Sequence, residues 1–351
     1  MAPYLSILVA TLGLAVLMIV HEGGHYLAAR KCGMRVQKFS IGFGPTLYRH
    51  KPANNPTTFQ IAIIPFIAYV QIAGMNPYEE IDPKDPGSYA NASLWARTVT
   101  IAAGPLANYF FASVLMFFGF LRGGNYVVDD VSMKVHVDPD GPAHAADMRD
   151  GDKVMSVNGE AIKDWEQLKR AIGAHPGEEV TVRVERVGEH DTAPVDIHVT
   201  PLPKTDKNPG KIFVSPDAKV VPVTTSQAAV LSLTEPPKVV YELVLGLAKM
   251  IAGKVKPELS GPVGIVRQTA AAVRSGAGNY LKFLGMLSAA MGAFNLLPVP
   301  FLDGGRLVFL GAEAVSGRKP DAKIEVWVHA AGLLMLLTFT AVATYGDVTS
   351  R

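Results

Sequence analysis

His21-Glu22-Gly23-Gly24-His25 sets two imidazoles four residues apart, with a carboxylate next to the first. On a helix, positions i and i+4 share a face about one turn apart, so both rings can reach one metal ion. Glu22 then stands where it can take a proton from water that the metal acidifies. The plain alternative is a charged helix end at a membrane surface. Against it, the motif directly continues an uncharged apolar run from Tyr4 to Val20, where two His and a Glu are costly without a partner. Gly23 weakens the helix by about 1 kcal/mol and touches no ligand position.

Two histidines do not complete a catalytic zinc site, so a third protein ligand is expected. Cys32 is the only cysteine, which rules out a cysteine cage and leaves carboxylates. Cys32 itself, beside Arg30 and Lys31, has no Cys/His arrangement around it that would make it a nucleophile. Glu79 and Glu80 lie in a polar loop without a helical frame. Asp303 is the stronger candidate, closing Asn295-Leu296-Leu297-Pro298-Val299-Pro300-Phe301-Leu302. Taken alone, it reads equally as a ligand or as the cap of a following helix. Beside an HExxH motif the ligand reading prevails. Pro298 and Pro300 break the apolar segment and free backbone groups that could meet a substrate.

These residues need elements to hold them at membrane depth. The 351 residues are 49% hydrophobic and 18% charged, with a mean hydropathy of +0.22. That balance suits a few membrane spans added to a soluble domain. A net charge of +2, with no basic run, points away from nucleic acid. Four stretches are long and apolar enough to cross a bilayer: Tyr4 to Val20 (continuing helically through Ala29), Thr98 to Leu121, Phe283 to Leu302 and Val326 to Gly346. The first lacks a basic n-region and a cleavage site, and is expected to be retained. Lys and Arg concentrate between Arg30 and Arg97 and again between Arg306 and Lys323, which puts both loops in the cytoplasm and both termini outside. Within the first loop, Thr57 to Met75 together with Ile41 to Pro45 reads as β-like structure dipping into the membrane.

From Val127 to about Pro203 the pattern is that of a soluble domain. Glu179 to Val184 and Val195 to Val199 alternate as strands, and Asp152 to Asn158 ends in an Asn-Gly hairpin signal. Trp165 to Ile172 reads as a short helix, Lys204 to Pro222 as a linker, and Ala228 to Ile251 as an amphipathic segment interrupted at Pro236-Pro237.

The pairing of HEGGH in the first span with NLLPVPFLDGG in the third resembles the site-2 protease family of intramembrane metalloproteases, on its bacterial sigma-E-regulating branch. Gly42-Phe43-Gly44-Pro45, Ala103-Gly104-Pro105-Leu106-Ala107-Asn108 and Ser260-Gly261-Pro262-Val263-Gly264-Ile265 also match. The stretch from Gly141-Pro142-Ala143 to Val157-Asn158-Gly159 resembles a single bacterial PDZ domain. The resemblance implies a polytopic α-helical membrane protein: four transmembrane helices, a membrane-dipping β-like segment and an inserted α+β PDZ domain. The expected order is a first membrane part over 1–122, the PDZ domain over 123–203, a linker and juxtamembrane segment over 204–278, and a second membrane part over 279–351.

It further implies one Zn2+ per chain held by His21, His25 and Asp303, with Glu22 as general base. Asn295 would contact the substrate backbone, and the segment containing Ile67, Ala68 and Tyr69 would pair with an extended substrate as an added strand. The partners implied are single-pass transmembrane proteins in a bacterial inner membrane, cut after an upstream protease has removed their outer part. The competing class is a non-catalytic membrane protein whose PDZ domain captures peptide tails. A third reading, a soluble-type zincin on a tether, needs a water-exposed motif. His136, His144, His175, His190 and His198 read as surface or structural residues of the middle region. Two readings stand for Asn108, an interhelical bond or a site contact, and two for His329, a functional group or a polar residue at the membrane face.

Overall fold

The structure, a computed structural model, describes residues 3–64, 68–76, 79, 82–128, 132–139, 141–187, 192–203, 210–253 and 261–349. Two units result, one from Met1–Gly123 with Val223–Arg351 and the other from Gly124–Pro222.

Helix α1 (Pro3–Lys31) carries the apolar run through the HExxH motif without a break. Tyr4, Leu8, Leu12 and Val16 recur every fourth residue and remain 44% to 78% exposed, while Ala10, Leu17, His21 and His25 are buried. One face therefore suits lipid, and the other turns both histidines inward. A four-stranded sheet follows: β1 (Val36–Ile41), β2 (Phe43–His50), β3 (Thr58–Ile64) and β4 (Tyr69–Ile72), in the order β2-β3-β1-β4. Strand β1 runs parallel to β3 and antiparallel to β4, with Phe39 opposite Val70. Met34, Val36, Ile72 and Ala29 of α1 form its core, with Cys32 packed against them, an ordinary structural place for that thiol. The expected β-like segment is thus a sheet with β4 at its edge. A 3-10 turn (Tyr89–Asn91) leads to α2 (Leu94–Gly123), whose buried face includes Arg97, Thr100, Gly104, Asn108, Ala112 and Met116.

The second unit contains β5 (Asn125–Val128), β6 (Val135–Val137), α3 (Pro142–Ala145), β7 (Lys153–Val157), β8 (Glu160–Ala161), α4 (Trp165–Gly173), β9 (Val180–Val187), β10 (Thr192–Val199), β11 (Val214–Pro216) and β12 (Ala218–Val221). Val180, Val182 and Val184 point into a core shared with Leu168 and Ile172 of α4, as period-two alternation requires. Asn158 and Gly159 both have positive φ, 50° and 83°, so the expected Asn-Gly turn joins β7 to β8. The linker expected over Lys204 to Pro222 needs correction. Its second half forms β11 and β12, which pair with β6 and β5, so the unit closes at Pro222. Residues 204–209 lie outside the described ones.

The chain then re-enters the first unit as α5 (Thr225–Ile251), α6 (Pro262–Arg274), α7 (Ala277–Asn295), α8 (Asp303–Ser316) and α9 (Ala322–Thr349). Helix α5 starts from a Thr224/Gln227 capping box and continues through Pro236 and Pro237, where an interruption was expected. Its N-terminal half packs Ala228 against Met116 and Phe120 of α2, and that support offsets the lost backbone bonds. Helix α7 meets α2 through glycines at seven-residue intervals. A Cβ on Gly278, Gly285 or Gly292 would meet backbone or side-chain atoms of α2 within 2.7 Å. The α6 amides of Gly261 and Gly264 donate to Asp347 of α9, which gives the Gly-Pro-Val-Gly stretch a capping role.

Among the described residues, three helices are long and apolar enough to cross a membrane: Tyr4–Lys31, Leu94–Gly123 and Lys323–Asp347. The expected span from Phe283 to Leu302 is helical only to Asn295, because Pro298 and Pro300 cannot continue the ladder.

Candidate metal centre

Asp303 is the first residue of α8, and the turn before it brings its carboxylate to the buried face of α1. His21 Nε2 and His25 Nε2 lie 3.2 Å and 3.3 Å from Asp303 Oδ2, and 3.2 Å from each other. A tetrahedral zinc ion with ligand bonds near 2.0–2.1 Å needs neighbouring ligand atoms about 3.3 Å apart. The observed triangle has that size. Its chemistry fits as well. His25 Nδ1 lies 2.8 Å from the Thr100 carbonyl, an acceptor only, so the proton sits on Nδ1 and Nε2 offers a lone pair to the centre. Asp303 Oδ2 is buried and meets no hydrogen-bond donor in good geometry. Electron-rich atoms converging in a dry site call for a cation. Among the described residues this is the one group of three that could hold a metal ion.

Helix α2 builds the back wall. A Cβ on Gly104 would sit 2.3 Å from His25 Nε2, and one on Gly24 would sit 2.3 Å from the Ala103 carbonyl, so both positions must be glycine for α1 and α2 to close. Asn108, fully buried, brings its amide to within 3.3 Å of His21 Nδ1. That contact joins α2 to α1 and reaches a residue of the cluster, so it meets both readings of Asn108. Glu22 follows His21 on α1, and α1 packs against β4 of the sheet.

The other expected residues are distributed as follows. Asn295 ends α7 and donates to the Met291 carbonyl of its own helix. Pro298 and Pro300 shape the turn into Asp303. In that turn Phe301 takes a left-handed φ of 76° and its N–H donates to His329 Nδ1 at 2.8 Å, so His329 props the ligand-bearing turn. Ala68 is buried and Tyr69 opens β4 with its hydroxyl on Gln60, whereas Ile67 and Glu80 lie outside the described residues. Glu79 is held by Gln37 and the Gly74 amide, away from the metal ligands. In the second unit His136, His175 and His198 form exposed pairs with Asp150, Glu178 and Glu179. The tethered-zincin reading loses its site. The sequence reading missed Thr100 and Gly104, whose roles lie in a carbonyl and an absent side chain; the Ala-Gly-Pro-Leu-Ala-Asn stretch was the available signal.

Residues 9–339 match the model of peptidase family M50. The chain belongs to that family, the site-2 proteases. It is 31% identical to the zinc metalloprotease RasP of Geobacillus kaustophilus, over 95% of each chain. It is 27% identical to the regulator of sigma-W protease RasP of Bacillus subtilis, also over 95% of each chain. A site-2 metalloendopeptidase thus replaces the non-catalytic alternative.

Proposed function

We propose that this M50 peptidase hydrolyses peptide bonds in or near the transmembrane segment of other membrane proteins, using one zinc ion per chain held by His21, His25 and Asp303. The observation that carries the reading is the triangle of inward-facing ligand atoms, 3.2–3.3 Å on each side, which span-length helix α1 and the start of α8 form beside span-length helix α2. Zinc, when bound, supplies a Lewis acid for the scissile carbonyl. Glu22 takes a proton from the attacking water as its oxygen bonds to the carbonyl carbon. It returns a proton to the amide nitrogen as the C–N bond breaks.

A transmembrane helix hides its amides in intrahelical bonds, so the substrate must unwind first. Strand β4 ends the sheet among the described residues and offers such a stretch a pairing partner, and a cavity of about 540 Å³ opens there beside Tyr69, Val70, Gln71, Ile72 and Arg306. Ile67 and Ala68 precede that edge, and Asn295, Pro298 and Pro300 take the opposite side of the extended chain. The substrate classes that fit are single-pass regulators of sigma factors, suggested by the name of the Bacillus subtilis relative, and signal-peptide remnants. The setting is a bacterial inner membrane, with the sheet dipping into the bilayer, α7 as a fourth, shorter membrane helix, and a PDZ domain and both termini outside. Substitution of Glu22→Gln should leave zinc bound and reduce cleavage of a reconstituted single-span substrate by at least about 100-fold. Turnover near the wild-type rate in that variant would remove Glu22 from the chemistry.

A further inference from the structure

We propose that Asn108 is a positioning residue that selects the metal-binding tautomer of His21, an inference that rests on the zinc reading above. The two histidines face the centre through Nε2, but their backs differ. His25 Nδ1 meets the Thr100 carbonyl, which only accepts, so its tautomer is settled. His21 Nδ1 meets a side-chain amide, which can turn either of two chemical faces toward it. If Nδ2 faced the ring across the 3.3 Å that separates the two groups, the amide would donate to Nδ1. That would place the imidazole proton on Nε2, where it would block the metal. Asn108 Oδ1 is then a buried acceptor without a donor.

Turning the amide by 180° brings Oδ1 to His21 Nδ1, which must then carry the proton, and Nε2 is left with the lone pair that a metal requires. Oxygen and nitrogen of an amide are nearly isosteric, so the turn needs no movement of the helix. The side chain is otherwise held firmly. It is fully buried, Gly292 of α7 packs along its Cβ, and Ser288 Oγ donates to its backbone carbonyl at 2.8 Å. Asn108 is therefore assigned the orientation in which Oδ1 accepts from His21 Nδ1–H, which also gives the otherwise unpartnered Oδ1 a donor. Outer hydrogen bonds of this kind set metal affinity by about 10–100-fold.

Zinc affinity measured by chelator competition on the full-length protein in detergent tests this without any assay of cleavage. Asn108→Leu, which offers neither face, should bind zinc about 10–100-fold more weakly than wild type. Asn108→Asp, which offers only acceptors, should bind at least as tightly as wild type. Thermal unfolding of the metal-free proteins checks the fold, and Asn108→Ala replaces the leucine variant if the latter does not fold. Affinity of the leucine or alanine variant within about twofold of wild type would overturn the proposal. So would an aspartate variant as weak as the leucine one, since the amide N–H would then be what matters. A wild type that binds no zinc would instead remove the metal reading itself.

Discussion

At Gly23 and Gly104, neighbouring helices use the same residue type for opposite reasons. A Cβ built on Gly23 meets nothing within 4 Å, whereas one on Gly104 strikes the His25 ring. Gly23→Ala should therefore leave zinc content unchanged and stabilise α1 by up to about 1 kcal/mol. Gly104→Ala should displace His25 and cost most of the bound zinc. Metal analysis of the two purified variants checks the contrast, and equal zinc in both would show that α2 does not set the His25 position. The cluster of His21, His25 and Asp303 was legible because its chemistry is in its side chains: two His at helical spacing and an Asp where no solvated charge belongs. Thr100 was not legible, because its contribution to His25 is a main-chain carbonyl that every residue type carries.

Elements were legible where a single period governed them. The α1 apolar run, the alternating valines of β9 and the Asn-Gly turn all have the form their patterns imply. Pairing across long sequence separations carried no such local signal. Strands β11 and β12 sit in a stretch rich in Pro and Lys and exist because β6 and β5 accept them. Helix α7 errs the other way, since hydropathy continues to Leu302 after two prolines have ended the helix. One contact that no pattern revealed ties α2 to α8. Arg97 grips Glu313 through two bonds, with side chains 8% and 13% exposed, and the pair steadies the helix that Asp303 opens. Tyr89 lines a pocket together with Arg97 and Glu313, and burial pushes its phenol up to about 12, so it stays neutral there. Arg97→Met should lower stability by about 3 kcal/mol or more by leaving Glu313 unpaired, and adding Glu313→Leu should recover much of that loss. Thermal unfolding in detergent measures both. A single variant no less stable than the double would show the pair to be unimportant.

At the scale of the whole molecule, the chain forms two units. His21, Glu22, His25 and Asp303 all belong to the first, so the second is free to regulate access. A folded unit of about 100 residues is roughly 33 Å across, wide enough to obstruct a substrate that keeps a bulky outer part. Replacing residues 124–222 with a short flexible linker should leave hydrolysis of a trimmed substrate intact and allow cleavage of the untrimmed one. Loss of trimmed-substrate cleavage in a zinc-loaded variant would make the unit part of the catalytic machinery. The central claim is that three ligands from segments 278 residues apart hold a single zinc ion within the membrane part. Zinc per chain in purified wild type, Asp303→Ala and Glu79→Ala tests it most directly. The account predicts about one zinc in the wild type and in Glu79→Ala, and almost none in Asp303→Ala. Full zinc in Asp303→Ala, or its loss in Glu79→Ala, would contradict it.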